Sequence, residues 1–163
     1  SNGSVKQGYL FALSTEAAMD VLSCINPSDI PTWLTLREEH PQLPVPDSLP
    51  ADTKFWTIGL GEGGRLWGQC KEERIAAIGW DFLGDMGLLE QLEDFERAVD
   101  EHYADGLRHV NNARACFDFT HTVSEGDILI VKKGRSEILA LGIVRSGYSL
   151  DATRAEYKSI RRV

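Results

Sequence analysis

The chain has 163 residues, 42% of them hydrophobic, and a net charge of −8, which is the make-up of a globular protein long enough to bury a core. No apolar run approaches the ~20 residues that a bilayer span needs, and Gly8 to Leu13 is too short, and lacks the basic flank, for a signal peptide. Cys24, Cys70 and Cys116 are odd in number and far apart, which speaks against a disulfide framework or a zinc site and for a reducing, cytoplasmic compartment.

The acidic balance is uneven. Residues 1–53 carry two basic and seven acidic side chains, and residues 81–105 carry one and nine. From Gly106 onward the balance reverses, with ten basic against six acidic. Local field rather than net charge selects a partner, so a polyanion is permitted.

In chain order, Tyr9–Leu13 reads as a short strand, with Ser14 capping a helix to about Cys24. A second helix is expected near Pro31, since proline suits a first helical turn. Four of the six prolines fall between His40 and Pro50, a spacing that forbids helix and central strand and reads as an extended linker. Residues 1–53 are therefore expected to be an independent helical appendage, and residues 54–163 the main module.

That module opens with a β-rich run, Phe55–Ile58, which ends in glycines. Arg65 to Glu73 follows as a short helix, and Ile75–Trp80 as a second strand. Leu88, Leu89, Leu92, Phe95, Val99 and Tyr103 recur at helical spacing, with acids on the opposite face. A further helix is expected over Asn112–Phe119. Asp127–Val131 and Ile138–Val144 are strands joined by Lys132-Lys133-Gly134-Arg135-Ser136, which offers a glycine for a hairpin turn. A last strand is expected near Tyr157–Val163. The order suggests an α+β fold: a curled mixed sheet with helices packed outside it.

Gly59-Leu60-Gly61-Glu62-Gly63-Gly64 matches G-x-G-x-x-G after a strand, with Asp81 about 20 residues further on, as a dinucleotide fingerprint asks. The following helix is barely two turns and is interrupted by Gly68, and no repeating βα units follow. What the motif retains is a turn that another molecule can approach closely, beside free N–H donors. No H-x-x-x-H, G-x-S-x-G or Walker lysine is present. Glu156-Tyr157-Lys158 has the local E-x-K pattern of a restriction nuclease but comes too late in the chain. Neither an enzyme activity, nor a cofactor, nor a metal is expected.

Taken together, Phe55–Trp67, Ile75–Asp85, Ala113–Phe119, Gly126–Arg135 and Leu141–Val144 resemble EVE-like domains of the PUA-like superfamily. These occur fused to McrB-type AAA+ GTPases of modification-dependent restriction systems. The resemblance implies a PUA-like pseudo-barrel that accepts a flipped-out, often modified base in an aromatic pocket, DNA being favoured over RNA. It also implies a role in targeting a restriction or defence system, with an AAA+ GTPase or nuclease as partner or as part of a larger parent chain. By this resemblance Trp80 is the pocket tryptophan, Leu60 and Gly61 belong to a loop lining the pocket, and Tyr148 is the second aromatic.

The residues themselves add Asp81 as an acceptor for the base edge, with a helix cap as its alternative. Trp80 is expected to keep one ring face open, so that Trp80→Ala costs little stability; the alternative is a core residue. Trp56 and Trp67 read as core. Arg65, Lys132, Lys133 and Arg135 are the candidate phosphate contacts, and the three of the hairpin tip are expected to set the salt dependence of binding. An RNA reader of the same fold and a protein-interaction domain are the alternative functions.

Overall fold

The computed structural model describes residues 9–13, 52–134 and 137–163. The helices expected after Ser14 and near Pro31, the proline-rich linker and Arg135 lie outside the described residues. Among the described residues there are seven strands and three α-helices: β1 (Tyr9–Leu13), β2 (Phe55–Gly59), α1 (Trp67–Glu73), β3 (Ile75–Ile78), α2 (Leu92–Tyr103), α3 (Val110–Phe117), β4 (Ile128–Lys133), β5 (Glu137–Ile143), β6 (Ser149–Leu150) and β7 (Ser159–Arg162).

The strands form two open sheets, one ordered β1-β2-β4-β5 and the other β3-β7-β6. The fold is α+β, and no closed barrel is present among the described residues. In the first sheet β2 is central and buried along its whole length, paired antiparallel with β1 and parallel with β4. β1 pairs residue for residue with β2, and Leu10 is buried in the core. Residues 9–13 are thus part of the module's sheet rather than of a separate appendage, a correction to the division at residue 53. Strand pairing needs a complementary row of backbone groups, which β2 offers on its free side whatever the composition of the intervening chain.

One buried carboxylate fixes where the parallel pair starts. Asp127, 4% exposed, accepts the Trp56 indole N–H at 2.9 Å and the backbone N–H groups of Lys54 and Ser124 at 3.0 Å. Buried donors of this kind need an acceptor, and Asp127 supplies it to both strands at once. Trp56 accordingly lies in the core, as its position on β2 predicts, while Trp67 packs against the core partly buried.

The acidic helix begins later than its apolar repeat predicts. Gln91 and Asp94 form a reciprocal capping box that starts α2 at Leu92. Leu88 falls instead in a short 3-10 turn and is 79% exposed. Phe95 and Val99 are fully buried, and Phe95 meets Phe117 of α3 edge to face at 5.8 Å. α3 runs on into one π turn, 118–122, closed by the Val123 N–H on the Asp118 carbonyl. The carbonyls at that turn are capped by Arg161, whose guanidinium donates to Phe119 and Thr120 and also to the Ser146 carbonyl. Burial pulls its pKa down to about 10, still far above neutrality, so the cap stays charged.

Asp127→Ala strands the buried Trp56 N–H, which costs about 1–3 kcal/mol, and loosens two backbone donors besides. A loss of about 3 kcal/mol in urea unfolding is expected. A loss below about 1 kcal/mol would show that Asp127 does not hold the β2–β4 pair.

Candidate nucleic-acid interface

β3 and β7 run antiparallel, with Ile78 opposite Ser159. Continuing that register by two residues sets Trp80 opposite Tyr157. Both residues have left-handed backbone, φ 62° and 52°, so the ladder stops there. For a bulky aromatic this conformation costs roughly 1–2 kcal/mol and needs a reason in its surroundings. The reason is Asp81. Its two carboxylate oxygens accept the backbone N–H groups of Tyr157 at 2.8 Å and Lys158 at 2.9 Å. Asp81 is therefore neither a helix cap nor an unengaged acceptor; it clamps the end of β3 to the start of β7.

Trp80 is 2% exposed, and Tyr157 4%. The expectation of an open indole face is corrected: in this state no base can stack on the ring. The C-terminal end of α2 reaches the same place. Contact with Trp80 lowers the Tyr103 hydroxyl pKa, but burial outweighs it and the net shift is upward. Phe82, two residues beyond Trp80, stacks on His102 with centroids 3.5 Å apart.

The segment 151–158 leads into β7 at this end of the ladder and is tied down by ion pairs and by hydrogen bonds to its backbone. Arg65 donates to both oxygens of Glu156 at 2.6 Å, with its guanidinium 5.4 Å from the Tyr157 ring centroid. Arg154 donates to Glu73 and, at 3.1 Å, to the Tyr157 carbonyl. Asp151 accepts from the backbone and hydroxyl of Thr153. Arg65 holds the Glu156 carboxyl below the usual range; Gln69, then Arg154, does the same for Glu73.

The glycine turn lies at the other side of Arg65. Gly61, Gly63 and Gly64 all have positive φ, which side chains other than glycine disfavour. At Gly61 a Cβ would also meet Leu66 Cγ at 3.0 Å, so the close approach there is made by the turn itself. At Gly63 a Cβ would meet nothing within 4 Å, so the outer side of the turn is open. Leu60 is buried, and its carbonyl already accepts the Leu66 N–H. The turn packs on the end of β4, since Gly59 is paired with Lys132 and Gly64 lies by the Lys133 stem.

The fold thus gathers Leu60, Gly61, Arg65, Trp80, Asp81, Lys132 and Lys133 around the glycine turn and segment 151–158. It does not bring Tyr148 to Trp80's partner position. The Tyr148 hydroxyl accepts the Met86 N–H at 3.0 Å and donates to Asp85, which holds it against the 85–87 turn. The residue opposite Trp80 is Tyr157, which sequence reasoning placed only on a strand. Two of the expected phosphate contacts are already paired, Arg65 with Glu156 and Lys133 with Glu137 at 3.6 Å. Burial pushes the Cys70 thiol up to about 11 and raises that of Cys116 well above its usual value, so neither is a thiolate at neutral pH. Among the described residues no group of three His, Cys, Asp or Glu side chains could hold a metal ion, and no helix is long and apolar enough to cross a membrane.

Residues 56–163 match the family described as a domain of unknown function (DUF8426), and the chain belongs to that family. No curated protein and no solved structure matches the chain.

Asp81→Ala removes two hydrogen bonds to a charged acceptor, each worth about 1.5–3 kcal/mol. Hydrogen exchange at the Tyr157 and Lys158 amides is expected to quicken at least ~10-fold, and unchanged rates would mean that Asp81 is not the clamp. The charged ties give a separate expectation. Glu73 and Glu156 titrate below their ordinary value of about 4.3, so their contacts contribute fully above that value and fade as pH falls through the lowered one. Amide exchange in 151–158 should loosen across that acid window; an equal loosening at pH 6 would contradict the assignment.

Proposed function

We propose that this chain is a non-catalytic nucleic-acid-binding module that takes a flipped-out base at the end of the β3–β7 ladder, between Trp80 and Tyr157, with DNA favoured over RNA. In this reading the two sheets are the halves of a PUA-like curled arrangement. The observation that carries it is the pair of bulky aromatics, both held in left-handed backbone and set opposite one another by one carboxylate. Strained backbone of this kind clusters where structure is spent on function.

A base has two apolar faces and a polar edge, and the site can answer both. Stacking on an aromatic ring is worth about 1–3 kcal/mol per base, while extrusion costs a few kcal/mol. Stacking alone therefore barely offsets extrusion, and edge contacts must supply the remainder. Asp81 can only accept while ionised. Released from Tyr157 and Lys158, it would suit the exocyclic amino group of cytosine or adenine.

With Trp80 2% exposed, binding in this reading requires that the ring be uncovered, with segment 151–158 as the part that moves. The Arg65–Glu156 pair that helps hold the segment is about half exposed on both sides, and such pairs contribute little net stability. Opening must also release Asp81 from its two amides, Arg154 from the Tyr157 carbonyl and the buried Tyr157 ring, so the open form is the minor one. Apparent affinity is then reduced by the fraction of molecules that are open. Selection of a modified base in a restriction or defence system, beside an AAA+ GTPase or nuclease, is the setting in which such a reader would serve.

The test is a binding panel of DNA and RNA oligonucleotides carrying methylated cytosine, methylated adenine or no modification. Trp80→Ala is a poor probe, since truncating a buried aromatic costs about 3–5 kcal/mol; Trp80→Phe keeps an aromatic ring. We expect the wild type to prefer one modified DNA and Trp80→Phe to lose that preference by about 10-fold while melting as a folded protein. No binding to any oligonucleotide at low salt would overturn the reading and leave a protein-interaction domain in its place.

A further inference from the structure

The arginines divide sharply by partnership. Among the described residues Arg65, Arg97, Arg108, Arg114 and Arg154 each reach a carboxylate, and Arg161 is buried on three carbonyls. Arg74, Arg145 and Arg162 have exposed side chains that reach no partner among the described residues. These three come from separate parts of the chain, yet hydrogen bonds set their backbone segments next to one another.

Arg145 donates its N–H to the Arg162 carbonyl at 2.8 Å, and the Arg162 N–H goes to Ser146 Oγ at 2.9 Å. On the other side the Val163 N–H donates to the Arg74 carbonyl at 3.0 Å, continuing the ladder in which Ile75 faces Arg162. Three neighbouring segments about 4.8 Å apart span about 10 Å. Over that width a nucleic-acid strand advances about three nucleotides at 3.4 Å each. Arg74 is held in place by its left-handed backbone, φ 54°, which ends α1 and turns the chain into β3.

The acids nearby do not neutralise the group. Glu73 is engaged by Arg154 and Gln69. Glu72 on α1 and Glu125, beside the Gly126 N–H that donates to the Val144 carbonyl, are not in ion-pair contact with any of the three. Three guanidinium groups carried on neighbouring segments give a local positive field that a polyanion would neutralise.

We infer that Arg74, Arg145 and Arg162 form a phosphate-contacting surface, the place where the sugar–phosphate backbone of the bound strand rests. The inference rests on the nucleic-acid reading above but moves the backbone contact away from the hairpin tip. It gives the ladder two functional ends. Trp80 and Tyr157 lie beyond one end of β3–β7, and the arginines at the other, so the strand would run along the second sheet. Arginine suits the task because its planar fork donates to two phosphate oxygens at once.

The experiment compares the whole chain with a variant carrying Arg74→Gln, Arg145→Gln and Arg162→Gln, and with the corresponding triple lysine variant. Binding of a single-stranded DNA oligonucleotide is measured from low to moderate salt. Each phosphate contact contributes about 0.7 to the slope of log affinity on log salt for a single strand. The glutamine variant is expected to lose about 2 units of slope, with an unchanged melting temperature, and the lysine variant to keep the slope. A slope unaltered in the glutamine variant would overturn the inference. If the wild type binds no oligonucleotide, the base-reading proposal fails, and tripolyphosphate titrated against the wild type and the glutamine variant decides this one by itself. Binding lost in the variant supports the surface; equal binding, or none to either, overturns it.

Discussion

The arrangement around the candidate site depends on one carboxylate accepting two backbone N–H groups. Without Asp81 on the amides of Tyr157 and Lys158, the β3–β7 pair would end at Ile78 and Ser159, and no hydrogen bond from the β3 side would fix the residues beyond. Trp80 and Tyr157 would then have no reason to keep left-handed backbone, which is locally unfavourable for both. A carboxylate is suited to the task because it presents two acceptors and no donor. Its hold is also of a kind that a competing donor can replace, which is what a binding site needs and a purely structural strut does not.

Asp127 performs the corresponding task for the first sheet, from a fully enclosed position. It satisfies the Trp56 indole and starts β2 and β4 together. The two carboxylates differ in consequence. Asp127 serves a buried donor that has no other partner, so its loss is paid in stability. Asp81 serves two backbone amides at the start of β7, in a segment also held by the Arg65–Glu156 pair and by Arg154 on Glu73 and on the Tyr157 carbonyl. Arg161 stands between these regions as a buried cation on the end of the π turn, and leaves its neighbour Arg162 to face outward.

Much of the fold was legible in local pattern. β2, β3 and the β4–β5 hairpin follow from short runs of β-branched and aliphatic residues bounded by glycine, and α2 from an apolar stripe of period 3.6. The stripe could not tell that Leu88 is outside the helix, because the cap at Gln91 and Asp94 decides where the helix starts. Long-range pairing was not legible. The union of β1 with β2 crosses the whole proline-rich region, and the parallel pairing of β2 with β4 is a property of the assembled sheet. For the candidate site, Trp80 and the glycine turn were proposed from the family resemblance and Asp81 from its place beside Trp80, and none of these showed in sequence that Asp81 is engaged by the Tyr157 and Lys158 amides. The relation of Tyr157 to Trp80 appears only when the β3–β7 register is known. Charge misled in the same way: Arg65 reads as a free cation until Glu156, 91 residues away, is folded onto it, whereas Arg74, Arg145 and Arg162 are unremarkable in sequence and meet only through the sheet.

The central claim is that the buried Trp80 ring becomes the contact surface when nucleic acid binds. Fluorine NMR of the protein labelled with fluorotryptophan, with the Trp80 signal assigned through Trp80→Phe, reads that ring directly. On titration with the preferred oligonucleotide, the Trp80 resonance is expected to move or broaden while those of Trp56 and Trp67 stay nearly fixed. A complex that forms with the Trp80 signal unchanged would contradict the claim and place the contact elsewhere on the molecule.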